Sequence, residues 1–237
     1  MLASLVAVLL GALAAGQPPV VGAGAPAGAA AGATGAATVA VLRCPTLNVT
    51  GSAPRPPARV RVLGSPASTA GLVAYTNGEQ FVVGPSGMRC HGLIAQDGGA
   101  RLFVWPPGQR QPGRHGRGAG LSLFVDPACA GCQASDACPF FAAFARGLGF
   151  PCAGGLPAGE SVVRRSRRLV LFEDPPGRAG DGWPSGGRDR ADGLVGIRGS
   201  LRPGARSRTV YRATCTLPSS AGATCTTSVD DLIARYL

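Results

Sequence analysis

Three cysteines, Cys129, Cys132 and Cys138, fall within ten residues in FVDPACAGCQASDACPFF (124–141), and the first two form a Cys-x-x-Cys. Such a pair supports thiol–disulfide exchange when a helix N-terminus stabilises its thiolate. With Cys138 and Cys152 it also supplies four thiolates for a zinc ion. The third reading is a structural brace, and three features favour it. The helical pattern begins near Asp136, beyond Cys132, so the first thiol is not at a helix N-terminus. The residues before it read as hairpins rather than βαβ units. Cys138 and Cys152 lie close enough to compete for pairing. Against zinc, a second Cys-x-x-Cys is missing and an exported thiolate site is exposed to oxidation.

Eight cysteines stand at 44, 90, 129, 132, 138, 152, 215 and 225. An even number in an oxidising compartment implies disulfides, with 105 possible pairings. Cys215 and Cys225 flank TLPSSAGAT, so a bridge there would staple the last strand to the segment before the final helix. Cys44 and Cys90 are then left for each other. Within the cluster, Cys129–Cys132 with Cys138–Cys152 is one of three possible pairings.

Other reactive residues are sparse. His91 and His115 are the two histidines and no Gly-x-Ser-x-Gly elbow occurs, which argues against a serine hydrolase. Glu173 and Asp174 end the apolar run LVLFED. Adjacent strand residues point to opposite faces, so a hydrolase would pair one of them with a distant carboxylate such as Asp181, Asp189 or Asp192. The acidic spacing of a calcium loop is absent. PPGRAGDGWPSGGRDRADG (175–193) is expected to be a long loop, and its Trp183 a contact residue among glycines and arginines. RRSRR (164–168) is read as part of a strand. Arg165 and Arg167 would share one face, with Arg164 and Arg168 on the other. These arginines offer an anionic polymer a docking face, but few aromatics accompany them, so no stacking platform for nucleic acid is expected.

The elements that must position these residues read as follows. TVAVLRC (38–44) and ARVRVLG (58–64) are strands. GLVAYTNGEQFVVG (71–84) and CHGLIAQDGGARLFVW (90–105) are hairpins around Asn77-Gly78 and Asp97-Gly98-Gly99, the first with positive φ at both turn positions. LSLFVD leads into the cysteine cluster. Asp136 would cap a helix carrying Phe140, Phe141 and Phe144 on one face, ended by Gly147 and Gly149. SVVRRSRRLVLFED, LVGIRG and RTVYRATC are strands. SVDDLIARYL is a closing helix with Ser228 as N-cap and Asp230 and Asp231 at its positive end. The expected fold class is α+β: a mostly antiparallel sheet of hairpins with one or two short helices on one face, braced by disulfides.

Composition sets the compartment. MLASLVAVLLGALAAG (1–16) has the length and small-residue ending of a signal peptide, though its charged n-region is weak. It is shorter than the roughly 20 residues a membrane span needs, so no transmembrane segment is expected in the mature chain. Residues 17–38, almost pure Gly, Ala, Pro and Thr, read as a flexible linker. Residues 39–237 read as one globular domain. All 23 basic residues are arginine, and the net charge is +11. That charge draws a protein to anionic partners, though a solvated basic surface without a dedicated ligand is the favoured account of it.

The set CPT, VVGPSGMRC, ACAGCQASDACPFF, PC, LFEDPPGRAGDGWPSGG and CTLP resembles a group of secreted actinobacterial proteins with no assigned activity. The resemblance spans most of residues 41–227. It implies export and a single domain, and carries no catalytic residue or cofactor. The expectation is a secreted, non-catalytic binding domain whose partner is an anionic cell-envelope polymer or another secreted protein. A thiol–disulfide oxidoreductase at Cys129/Cys132, a hydrolase at Glu173/Asp174 and a disulfide-braced protease inhibitor are the alternatives.

Overall fold

The computed structural model describes residues 35–51, 54–110, 119–176, 190–202 and 207–237. The strands are β1 (Ala36–Arg43), β2 (Thr46–Asn48), β3 (Arg59–Leu63), β4 (Leu72–Thr76), β5 (Phe81–Pro85), β6 (Arg89–Ile94), β7 (Ala100–Trp105), β8 (Gly120–Asp126), β9 (Ser161–Ser166), β10 (Leu169–Asp174), β11 (Arg190–Gly199) and β12 (Arg208–Leu217). The helices are α1 (Ala130–Ala137), α2 (Ala142–Gly147) and α3 (Gly222–Tyr236).

Two sheets form instead of the one expected. The larger has the order β2–β6–β7–β8–β12–β11–β10–β9, antiparallel except for the short parallel β2–β6 pair. The smaller has the order β3–β1–β4–β5, with β1 parallel to β4. The meander expected around the two hairpins is therefore split: β4–β5 belongs to the small sheet and β6–β7 to the large one.

Strand parity assigns the layers, because alternate side chains point to opposite faces. On one face of the large sheet, Leu121, Leu123, Leu194, Tyr211, Ala213 and Cys215 pack against Tyr75 and Val82 of the small sheet and Val229 and Leu232 of α3. On the other face, Val170, Phe172, Val195, Ile197 and Val210 pack against Ala137, Phe140, Phe141 and Phe144. Helices thus cover both faces, not one. The central strands are apolar in both directions and need cover on both sides; β8 is buried at every residue.

Several boundaries differ from expectation for identifiable reasons. β1 starts at Ala36, inside the stretch assigned to the linker, because Ala36–Thr38 pair with Arg61–Leu63. α3 starts at Gly222, six residues before Ser228, following a 3-10 turn at Ser219–Ala221. Burial of Cys225, Val229 and Leu232 on one face extends the helix, so Ser228 is a buried interior residue rather than a cap. RRSRR spans a turn between β9 and β10, so the four arginines do not alternate along one strand. At the β4–β5 turn only Gly78 has positive φ; Asn77 is fully buried, and its Oδ1 accepts the N–H groups of Glu79 and Gln80.

All four disulfides are formed: Cys44–Cys90, Cys129–Cys132, Cys138–Cys152 and Cys215–Cys225. The last ties β12 to α3 itself, not to a segment before it. Among the described residues no helix is long and apolar enough to cross a membrane.

Candidate functional site

β8 ends at Asp126, and three residues later Cys129 becomes the N-cap of α1. Its Sγ accepts the backbone N–H of Cys132 at 3.1 Å. The expectation that the helix begins near Asp136 is thus overturned, and with it an argument against redox chemistry. The helix starts early because buried Gln133, Ala134, Asp136 and Ala137 give it a face toward the large sheet. The expected single helix breaks at Pro139, and α2 follows with Phe141 as its N-cap. A second objection also falls, since Cys138 pairs with Cys152 and leaves the Cys-x-x-Cys to itself. The third stands: the surrounding sheet is antiparallel, not a βαβ unit.

Cys129 and Cys132 are half-buried, and an Asp97 carboxylate oxygen lies within 4.8 Å of their sulfurs. Asp97 sits in the β6–β7 turn, where its Oδ1 accepts the Gly99 N–H at 2.9 Å. A Cβ on Gly99 would meet Asp97 Oδ1 at 2.9 Å and Asp126 Oδ1 at 3.5 Å, so glycine is what allows the two carboxylates to approach the same point. Beside the disulfide, the ring of Phe150 covers Gly131 and is 50% exposed.

Beneath the disulfide lies a buried polar cluster that sequence reading missed. Asp126 and Asp136 are 1% and 7% exposed. Arg101 on β7 reaches Asp126 Oδ1 at 2.8 Å and Asp136 Oδ2 at 3.9 Å. Its guanidinium also bonds the Ala100 carbonyl at 2.9 Å and lies 4.8 Å over the Phe124 ring. Oδ2 of each aspartate has no protein donor. One guanidinium cannot fully neutralise two buried carboxylates, which favours the protonated form of Asp126. Burial above all, and then the Asp136 carboxyl, push Asp126 up to about 8, although Arg101 pulls the other way. Gln133 on α1 locks the helix over this cluster: its Nε2 donates to the carbonyls of Asp126 and Arg208 at 3.0 and 3.2 Å, and its Oε1 accepts from Arg208 Nε at 3.0 Å. The only signal in the sequence was an aspartate closing an apolar strand directly before the cysteines.

The remaining expected site residues are dispersed. Glu173 faces the α3 side and stands directly opposite Asp192 on β11, in a cleft of about 260 Å³ that Arg165 and Asp230 also line. Asp192 therefore belongs to a strand, not to the long loop. Asp174 points the other way and is 2% exposed, so the two adjacent acids do not act together. Arg164 is tied to the Phe140 carbonyl at 2.8 Å and lies 5.1 Å over the Phe141 ring. Arg167 and Arg168 are the two turn residues, and the Arg168 N–H donates to Ser166 Oγ. His91 lies on β6 opposite Phe103. Trp183, Asp181, Asp189 and His115 lie outside the described residues, as does the signal-peptide stretch. The four-thiolate zinc set is not assembled: Cys138 and Cys152 bond each other, and the one group of three metal-type ligands among the described residues is Asp97 with the disulfide-bonded Cys129 and Cys132.

No family model matches this chain, and no curated protein or solved structure is similar to it.

Proposed function

We propose that the protein is an exported thiol–disulfide exchange protein acting through Cys129 and Cys132 on cysteine-bearing polypeptides. The observation that carries the reading is Cys129 as N-cap of α1, with its sulfur on the Cys132 N–H. A thiolate there receives a charge-assisted hydrogen bond and the favourable end of the helix dipole. The surroundings support it: a half-buried disulfide and an exposed phenyl ring alongside for an apolar substrate segment. Four disulfides support export.

In the reducing direction, the Cys129 thiolate attacks a substrate disulfide. A mixed disulfide forms and one substrate thiolate leaves with the electron pair. Cys132 loses its proton, to water or to the Asp97 carboxylate, and attacks the Cys129 sulfur. The Cys129–Cys132 bond closes, the second substrate thiolate leaves, and two electrons have passed to the substrate. The reverse sequence oxidises a substrate dithiol and starts from the disulfide seen here. Burial raises the Asp126 carboxyl toward its neutral form, which lessens the negative charge beneath the site.

Mild reduction followed by differential alkylation and mass spectrometry tests this. Cys129–Cys132 is expected to open first, and Cys132→Ser to accumulate a mixed disulfide at Cys129 with a peptide disulfide. A Cys129–Cys132 bond as resistant as the buried Cys215–Cys225, or a Cys132→Ser variant that traps no peptide, would sink the reading.

A further inference from the structure

At the far end of α1, about 12 Å of helix away from Cys129, lies a second concavity that the exchange chemistry does not use. It measures about 490 Å³, and its floor is apolar: Phe140, Phe141, Phe144 and Leu148. That volume falls within the range of small-molecule sites. Arg164, Arg167 and Arg208 also line it, and none of its described lining residues is acidic.

Two of the three guanidiniums, those of Arg164 and Arg208, are held in place by hydrogen bonds. Arg164 uses Nη2 on the Phe140 carbonyl, which leaves Nε and Nη1 to donate. Arg208 uses Nε on Gln133 and Nη1 on the Arg202 carbonyl, and stacks 5.5 Å over Phe144. Arg167 projects from the β9–β10 turn. Among the described residues no carboxylate pairs with any of the three. An apolar floor of phenyl rings under a cationic rim that no described carboxylate pairs with is complementary to a ligand with an apolar body and one anionic head.

We propose that this pocket binds an acyl carboxylate, with its chain over Phe140, Phe141 and Phe144 and its carboxylate between Arg164 and Arg167. Two groups of residues that look unrelated in the sequence, the RRSRR run and the phenylalanines after Cys138, meet in it.

Titration calorimetry of the oxidised full chain with dodecanoate below its micellar concentration tests the proposal. The expected result is saturable binding with one site, weakened about tenfold by Arg167→Ala. Ala143→Trp, which fills the pocket without altering its charge, is expected to abolish binding. Dodecanol, with the same chain and no charge, is expected to bind at least tenfold more weakly. Absence of saturable dodecanoate binding overturns the proposal, as does binding indifferent to Ala143→Trp or equal affinity for dodecanol. The readout needs no thiol chemistry, so it stands or falls separately from disulfide exchange.

Discussion

Asp126 ends a strand whose every residue is buried, and a lone guanidinium serves both its carboxyl and that of Asp136. Its folded-state value near 8 lies above the ordinary carboxyl value, so the protonated form binds its proton more tightly in the folded protein than in the unfolded chain. The stability that this supplies is complete below about pH 4 and is lost as pH rises through about 8. Asp136→Asn removes the second carboxylate while leaving an amide to face Asp126. The variant is expected to be more stable than the parent at pH 9, by about 1 kcal/mol, and to show a flatter pH dependence between 5 and 9. Urea unfolding at several pH values reads this directly; an unchanged slope would show that Asp136 does not raise Asp126. Asp97 acts on the sulfurs from outside. At about 4 Å in water a unit charge is worth about 1 kcal/mol, similar in size and opposite in sign to a helix N-terminus. Asp97→Asn is therefore expected to raise the iodoacetamide reactivity of reduced Cys129 at pH 7 about fivefold, and no change would place the carboxylate outside the site's electrostatics.

At the level of elements, α1 depends on one side chain. Gln133 uses both its amide group and its amide oxygen on β8 and β12, so Gln133→Ala strands the carbonyls of Asp126 and Arg208 and an arginine Nε–H. The cost is expected to be about 2–3 kcal/mol, a fall in Tm of about 4–12 °C by calorimetry under non-reducing conditions. α3 is anchored differently. Asp231 is 3% exposed, takes two contacts from Arg235 near 3.0 Å, and accepts the Leu63 N–H, while Tyr236 accepts the Phe81 N–H at 2.7 Å. Burial raises Asp231 and pushes Tyr236 up to about 12. Arg235→Ala leaves that carboxylate buried without its partner and is expected to cost about 3 kcal/mol in urea unfolding at pH 7. These elements also show what could be read in advance. The hairpin at Asp97-Gly98-Gly99 and the alternating strand RVRVL were legible because turn chemistry and period-two patterning are local. The start of α1 was not, because AGCQASDA carries no apolar stripe; its buried face is made of small and polar residues whose partners, Asp126 and Arg208, are contributed by strands. The Asp126–Asp136 pair was hidden for the same reason. Neither residue is unusual until β8 and α1 are stacked on Arg101.

For the whole molecule, the disulfides fall into two kinds. In the loop-closure account, the 46-residue separation of Cys44 and Cys90 corresponds to about 4 kcal/mol, and the three-residue separation of Cys129 and Cys132 to about 2 kcal/mol. Selective opening of Cys129–Cys132 is therefore expected to leave near-UV circular dichroism unchanged and lower Tm only slightly, whereas Cys44→Ala with Cys90→Ala lowers it at least twice as far. Equal losses would make the Cys-x-x-Cys another brace. One feature of the large sheet has a temporal side. β8, with the run LSLFV, takes β12 as one of its two neighbours, yet β12 begins at Arg208, roughly eighty residues further along the chain. At about 5–20 residues per second, a growing polypeptide would leave that edge of β8 open for about 4–16 s. An apolar strand with one bare edge for that long invites pairing with another chain, and the interval is decided by the order in which the strands emerge from the ribosome rather than by any contact in the finished protein.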